Sequence, residues 1–381
     1  MNAMPFSRLP TLRGLTALLA LLGPLASAPA PAATLGGCAL FPAGAVFNTP
    51  IRQADGFGVH PRSTAWRQLV RSDGGSSLHL HLDMGRSEDA EQPDTYWGIP
   101  YNVVGGGPDD TAWTPFSFAP TDRHDEMGGY PDESDCARPA PQGGWKLRRG
   151  CASVRHPVVP LPLPGSLRIE GGRCDMAQGP CPYNDRHLLV LETGSCRLWE
   201  GYYAYEGRRG WHLSGLAAWQ LGSMQLRPAG WTSADAAGLP ILPLLLRADE
   251  ADSGHIDHAL RVTLRNGVMR NTYVWPARHQ AGYSPTQNIP FGSLLRLRAD
   301  FVIPPQWTVQ AQAIARAMQT HGLYVADNGS DFFVQGEPSA RWQQATFDQL
   351  QGALTLDRFE FVDLSPITGQ PGFDPDSLRA R

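Results

Sequence analysis

Lysine is almost absent from this 381-residue chain: Lys146 is the only one, and nearly all its basic side chains are arginine. A phosphate-binding loop needs a lysine directly after its glycines, and Gly143-Gly144-Trp145-Lys146 lacks that spacing. A Schiff-base mechanism would have to use the same residue. No Gly-x-Gly-x-x-Gly, Gly-x-Ser-x-Gly or His-Glu-x-x-His occurs, which counts against dinucleotide-binding, α/β-hydrolase and zinc-peptidase chemistry. No Cys-x-x-Cys is present either, so a structural zinc site has little support. No internal repeat of about 20–50 residues is visible, which disfavours propellers and solenoids. Positive charge is short too. The formal net charge is −4, which is no electrostatic footprint for nucleic acid or an anionic membrane.

What is present begins with an export signal. Arg8 and Arg13 precede the apolar run Leu15-Thr16-Ala17-Leu18-Leu19-Ala20-Leu21-Leu22, and a small-residue stretch follows through Ala33. A charged start, a short apolar core and an Ala-x-Ala-like exit predict a secretory signal over residues 1–33, too short to span a membrane comfortably. Periplasmic or extracellular residence follows. The six cysteines all lie between Cys38 and Cys196, and in an exported chain they predict disulfides rather than thiolate ligands. Cys174 and Cys181 flank a short loop, and Cys136 and Cys151 flank a Pro/Gly-rich one; Cys38 and Cys196 remain to join the mature N-terminus to a central strand. Leu35-Gly36-Gly37-Cys38 also resembles a lipoprotein box, but it lies well past the apolar run, and lipidation would leave an odd cysteine count.

Apolar residues alternate with polar ones in several segments. Leu78, Leu80, Leu82 and Met84 alternate with His79, His81 and Asp83; Leu260, Val262 and Leu264 alternate with Arg261, Thr263 and Arg265; Leu295, Leu297, Ala299 and Phe301 alternate with Arg296, Arg298 and Asp300. Period two predicts strands with one covered and one polar face. The continuous run Leu188-Leu189-Val190-Leu191 predicts a strand buried on both faces. Further strands are expected at 99–104, 166–170, 197–205, 211–220, 272–275, 323–327 and 332–335. Helices are few: 63–72, 308–321 with Gly322 closing it, and 343–351. Many short strands and few helices predict a mainly β fold, a sandwich or jelly-roll-like single domain over 34–381 with a few decorating helices. Residues 121–164 read as a long disulfide-clamped insertion.

The chemistry-bearing candidates lie on these strands and loops. His79, His81 and Asp83 share a strand face, which is either a metal or acid–base cluster or an ordinary polar outer face. Asp185 and His187 share a face with Leu189, so the pair is either a satisfied structural bond or a tuned acid–base dyad. Glu170 ends a strand before Gly171-Gly172. Glu200 lies beside Trp199 and Tyr202. Carboxylates next to aromatic faces suit a sugar groove, the rings covering C–H surface and the acids working on hydroxyls or the glycosidic oxygen. Asp235 lies in a Gly/Pro-punctuated loop, where Thr232, Ser233 or Asp235 could equally cap a helical turn. His258 falls on an apolar face and reads as a buried, hydrogen-bonded residue. Asp327-Asn328-Gly329-Ser330-Asp331 reads as a turn between strands; its acids could bind calcium, but the EF-hand spacing is missing.

Several segments resemble a family of exported bacterial proteins: Gly98-Ile99-Pro100-Tyr101-Asn102-Val103-Val104, Ile169-Glu170-Gly171-Gly172 with Asp185-Arg186-His187, and Gly230-Trp231-Thr232-Ser233-Ala234-Asp235-Ala236-Ala237-Gly238-Leu239-Pro240. So do His258-Ala259-Leu260-Arg261, Tyr273-Val274-Trp275-Pro276-Ala277-Arg278-His279 and Val325-Ala326-Asp327-Asn328-Gly329-Ser330. The resemblance covers most of the mature chain but carries no established activity, so it implies no catalytic residue. The cysteine-bearing insertions depart from it and are placed to rim a site.

Together these residues point to a carbohydrate-active enzyme, a glycoside hydrolase acting on a polysaccharide or oligosaccharide, with no cofactor and no metal. Its catalytic groups are expected among Glu170, Asp185, His187, Glu200 and Asp235, and its substrate contacts among Trp199, Tyr202, Arg261 and Arg278. The alternatives are a non-catalytic lectin-like binder in the same groove, and a polysaccharide lyase in which Arg261 or Arg278 neutralises a uronate while His187 or a tyrosine abstracts the proton. Strands at 166–170, 186–191 and 197–205 are expected to neighbour one another and bring Glu170, Asp185, His187 and Glu200 together. If that cluster fails, Asp235 and Asp327 are the next carboxylates to consider.

Overall fold

The computed structural model describes residues 1, 32–74, 78–89, 97–105, 112–118, 129–139, 141, 145–151, 158–172, 174, 185–208, 210–285 and 287–380. The signal segment, apart from its ends, lies outside them. The fold is mainly β.

The run Leu188–Glu192 forms the strand its composition predicts, buried on both faces. It pairs antiparallel with Arg197–Tyr202 and parallel with Tyr101–Val104. Gly215–Gln220 completes this four-stranded sheet at the other edge. One face puts Leu189, Leu191, Leu198, Ala217 and Trp219 into the main core. The opposite face puts Leu188, Val190, Trp199, Leu216 and Ala218 into a second core with Phe116, Leu161, Leu163 and Trp211. That second core belongs to a small sheet that includes Ala112–Ser117, Val158–Leu163 and Gly210–His212. The segment expected as one strand over 211–220 is therefore two strands in different sheets, joined through residues 213–214.

A six-stranded mixed sheet lies on the main-core side, in the order Phe359–Phe361, Leu294–Leu297, Leu323–Asn328, Leu260–Leu264, Phe333–Gln335, His81–Asp83. Leu260–Leu264 runs parallel to Leu323–Asn328, and Phe333–Gln335 runs parallel to His81–Asp83. All five residues of Leu260–Leu264 are buried. The polar face expected there is thus covered, because the loop at 232–240 packs over it: the Ala237 N–H donates to the Ala326 carbonyl at 2.8 Å. Between Val262 and Thr263 the register shifts from Val325 to Asp327, so Ala326 is an extra, bulged residue. Such bulges re-aim neighbouring side chains, and here the next residue is Asp327. Helix Val309–Thr320 forms as expected, with the Thr308 hydroxyl accepting the Ala311 N–H at 3.0 Å; Ser63–Gly74 and Gln344–Ala353 are the other long helices.

Two expectations about the chain path need correction. The stretch 166–170 is not a strand. Its backbone is held instead by the Asn102 side chain, which accepts from the Arg168 N–H at 2.9 Å and donates to the Arg168 carbonyl at 2.8 Å, a side-chain imitation of a strand partner. The stretch 121–164 is also more than a clamped loop, since Val158–Leu163 is a sheet strand paired along its length with Ala112–Ser117. Disulfides join Cys38 to Cys196 and Cys136 to Cys151. Cys174 is disulfide-bonded as well, while Cys181 lies outside the described residues. No helix among the described residues is long and apolar enough to cross a membrane. The disulfides fit an exported protein.

Candidate active site

The parallel strands Leu260–Leu264 and Leu323–Asn328 end at a cavity of about 640 Å³. Its wall includes Tyr130 and Glu133 from the insertion, Asp185 from the segment before Leu188–Glu192, Tyr202 at the end of Arg197–Tyr202, the loop residues Thr232, Ser233 and Asp235, and Asp327 at the strand end. His279 and Tyr283 also line it, His279 3.9 Å from Glu133, and Tyr283 is 84% exposed.

The loop carrying Asp235 is braced from within. The Ser233 hydroxyl accepts the Asp235 N–H at 2.9 Å and donates to the Leu239 carbonyl at 2.6 Å. No helix follows, so Ser233 caps a loop rather than a helical turn. Gly238 closes the loop at φ +67°, and a Cβ there would fall 2.7 Å from the Trp231 carbonyl. Only glycine accepts both conditions cheaply. From the other side Arg227 grips the same loop. It donates to the Thr232 carbonyl at 2.8 Å and to the Glu133 carbonyl at 2.6 Å, and it ion-pairs with buried Asp135.

The Asp235 carboxylate is fully buried. Its Oδ1 accepts from Arg261 Nη2 at 2.8 Å. Its Oδ2 has no donor from any side chain that carries hydrogens as a matter of course. The same Arg261 Nη2 also faces the Asp327 carboxyl. Burial is the largest effect on each acid, raising both; Asp327 is raised further by the charges of Asp235 and Asp185, whereas Arg261 pulls Asp235 back. Asp235 and Asp327 are therefore two buried acids facing one guanidinium, both raised above the ordinary carboxylate range and Asp327 well above it. Asp327 Oδ1 accepts the Asn328 N–H at 2.8 Å, and Arg261 is 3.7 Å from its Oδ2. Arg261 also bonds Gln335, which donates to Asp83 at 3.4 Å. A polar row thus crosses four strands from Asp83 to Asp327. Burial and the nearby Glu170 charge push Asp83 up to about 6.

His187 lies behind this wall. Its ring Nδ1 is 2.7 Å from Glu170 Oε2, and its Nε2 is 2.9 Å from the Ala234 carbonyl. Both neighbours are acceptors, so both ring nitrogens must carry hydrogen and His187 is an imidazolium. Burial pushes the ring down, but the charge and hydrogen bond of Glu170 outweigh it and raise it to about 9. In return, the imidazolium and the His187 backbone N–H hold Glu170 below its ordinary value against its own burial. The outcome is structural positioning: the imidazolium holds the carbonyl of Ala234, next to Asp235.

The expected cluster is thus partly assembled and partly not. Glu170, Asp185 and His187 come together, with Tyr202 donating to Asp185 at 3.3 Å. Asp185 and Asp235 share the cavity wall. Glu200 does not join them. It is sealed on the main-core face, where it accepts from the Trp219 indole at 2.8 Å and from the backbone N–H groups of Ile241 and Leu242 at 2.9 Å each. The alternation of Arg197–Tyr202 explains this, because residue 200 points to the core that holds Trp219. Trp199 faces the second core, fully buried, its indole N–H reaching Glu192 at 3.3 Å. Arg261 is buried behind Asp235 rather than facing a ligand. Arg278 donates to the carbonyls of Arg227 and Pro375 at 2.7 Å each and pairs with Asp376, tying down the C-terminal segment.

The other candidates are structural. His79 bonds the Gln351 carbonyl at 2.7 Å and His81 stacks on Phe333, so they do not converge with Asp83. No metal-ligating group of three or more such side chains occurs among the described residues. His258 is buried between the Ala259 carbonyl and Glu250, as its apolar face predicts. Sequence reasoning passed over Tyr130, Glu133, His279 and Tyr283 as site residues; it read Asp327 first as turn chemistry and then as a carboxylate to consider next, with Asp235. Only the Asp327 position, at the end of a strand beside a Gly-containing loop, carried a visible signal.

No family model, curated protein or solved structure matches this chain.

Proposed function

We propose that the protein is an exported glycoside hydrolase whose catalytic carboxyls are Asp327 and Asp185. The observation that carries this is that Asp327 and Asp235, both held against Arg261, line the same cavity wall as Asp185. Groups whose surroundings separate their protonation states are the usual acid and base of such a reaction. Asp327 holds a proton and gives it to the glycosidic oxygen as the C–O bond breaks. Asp185 faces the ring as the base for a water or as the nucleophile. Arg261 holds the Asp235 carboxyl in place and counters part of the upward push of burial on it, so that Asp327 has a fixed neighbour. Tyr130 and Tyr202 are held above their ordinary values, first by burial and then by the acids around them. Their hydroxyls stay protonated and can donate to sugar oxygens. Tyr283 offers an exposed ring at the rim for stacking. The cavity volume falls within the ~300–1,000 Å³ of small-ligand sites.

The lyase alternative loses its uronate-neutralising groups, since Arg261 and Arg278 do not line the cavity. The lectin-like alternative uses the same wall and differs only in outcome. A glycan-degradation screen of the purified mature protein, reading reducing ends and unsaturated-uronate absorbance, separates the three. Asp327→Asn is expected to lower hydrolysis on the order of 10²–10⁴-fold while the fold is kept. Binding with no cleavage of any glycan would establish the lectin reading instead. Anomeric NMR of the first product then reports geometry: retention implies carboxyls about 5–5.5 Å apart and inversion about 6.5–9.5 Å.

A further inference from the structure

We infer that His279 and Glu133 form a clamp for the hydroxyls of an uncharged sugar, and so position the substrate in this cavity. The inference rests on the carbohydrate reading above. Both side chains line the cavity and neither is sealed: His279 is 25% exposed and Glu133 36%. His279 Nδ1 is 2.9 Å from the Ala236 carbonyl. A carbonyl oxygen can only accept, so Nδ1 carries a hydrogen, and Nε2 is the ring nitrogen left for a ligand. Nε2 lies 3.9 Å from Glu133 Oε2. That separation is too long for a direct hydrogen bond and suits one oxygen between the two groups. A sugar hydroxyl answers either state of the ring. When Nε2 bears hydrogen, one hydroxyl accepts from it and donates to the carboxylate. When Nε2 is bare, two adjacent hydroxyls donate, one to each group.

The loop that carries Asp235 fixes both halves of the clamp. The His279 backbone N–H donates to the Ala237 carbonyl at 3.1 Å, and the Arg278 N–H donates to the same carbonyl at 2.8 Å. On the other side, Glu133 Oε2 accepts the Thr232 N–H at 3.0 Å, and the Glu133 carbonyl accepts from Arg227 at 2.6 Å. The imidazole and the carboxylate are thus tied to residues 232–237, on either side of Asp235. Neither has to be ordered by the substrate, and polar groups set in advance are what fix a ligand's orientation. A hydroxyl held between them places the sugar ring relative to Asp185 and Asp327 on the same wall. A carboxylated or sulfated unit would bring its charge against the Glu133 carboxylate, so the unit expected here is uncharged.

The test is a double-mutant cycle on the mature, disulfide-intact protein, with hexasaccharides of glucose, xylose, mannose and galactose as probes. His279→Asn keeps an N–H for the Ala236 carbonyl and removes Nε2. Glu133→Gln keeps an acceptor for the Thr232 N–H and removes the charge. On the hexasaccharide that the unsubstituted protein cuts, each single change is expected to raise KM at least about tenfold, with kcat within about threefold of the unsubstituted protein. The double variant is expected to lose little more, because either change alone opens the clamp. His279→Gln, whose terminal amide reaches the place of Nε2, is expected to recover part of the loss. Should thermal melting show that His279→Asn fails to fold, the KM of Glu133→Gln alone decides. Unchanged KM in the single variants, or losses that multiply to about a hundredfold in the double, would overturn the inference and leave the hydrolase standing. The same cycle seen in calorimetric Kd, without cleavage, would uphold the clamp and sink the hydrolase. If no hexasaccharide binds, both fall.

Discussion

Replacing Glu170 with glutamine tests the electrostatic frame of the site directly. In the folded protein His187 is raised from an ordinary value near 6.5 to about 9. A base stabilised in this way contributes folding energy that is fully present below pH 6.5 and is lost as the pH climbs through 9. The shift corresponds to about 3 kcal/mol, most of it still present at pH 7. Glu170 is shifted the other way, below its ordinary value; its share is present at neutral pH and lost only as the pH falls through that lowered value. The pair is therefore at full strength in mildly acidic solution, and only its His187 limb is felt above neutrality. Glutamine keeps an acceptor for one ring N–H but removes the charge, so burial then dominates and the ring should titrate below its ordinary value. Urea unfolding with the disulfides intact should show the variant less stable by about 2–3 kcal/mol at pH 7. The gap should close by pH 10. The His187 C2–H resonance should report the same midpoint by NMR. A wild-type ring titrating at or below 6.5, or a stability gap unchanged between pH 7 and 10, would refute the imidazolium assignment. Because the same ring bonds the Ala234 carbonyl at 2.9 Å, activity should fall on the same alkaline limb as Asp235 loses its brace.

Other substitutions separate structure from chemistry. Glu200→Ala strands the Trp219 indole and two backbone N–H groups in the core; at roughly 1–3 kcal/mol per buried unsatisfied group, chemical denaturation should show a loss of at least about 3 kcal/mol, with the rate per folded molecule unchanged. Gly238→Ala forces a side chain onto a φ of +67° and against the Trp231 carbonyl; a loss of roughly 1–3 kcal/mol in stability should come with a raised KM, since the loop carries Asp235. Replacing both Cys38 and Cys196 with serine opens a loop of 158 residues; loop-closure entropy sets the cost at about 5 kcal/mol, against about 3 kcal/mol for the 15-residue loop of Cys136–Cys151, and thermal melts should rank the two variants in that order.

The parts of this structure that follow a local rule were legible from the chain alone. Leu188-Leu189-Val190-Leu191 reads as a strand covered on both faces, and the short link to Arg197 favours a hairpin; both hold. Thr308 and Gly322 bracket the helix they predict. The disulfides Cys38–Cys196 and Cys136–Cys151 follow from spacing and from what spacing leaves over. Local rules fail where a second layer covers a face that alternation marks as polar. Arg261 alternates like a surface residue yet is fully buried, because the loop at 232–240 is laid over its strand. The 166–170 stretch has strand composition, but its partner is a side chain, Asn102, and no periodicity can show that.

The same distinction decides which acids matter. Glu200 sits among aromatic residues and so resembles a sugar-groove acid, yet those aromatics face two different cores and its carboxylate caps backbone groups. Asp327 looks like turn chemistry and becomes a buried acid on the cavity wall. What changes its surroundings is non-local: a bulge at Ala326, a loop that delivers Asp235 from about ninety residues earlier, and the Asp185 wall contributed by the segment that leads into Leu188–Glu192. Burial and the approach of another negative charge each push a carboxyl toward its protonated form, and Asp327 meets both. That juxtaposition exists only after the chain has closed, so the spacing of acids along a sequence identifies candidates, and the packing of loops over strand ends selects among them.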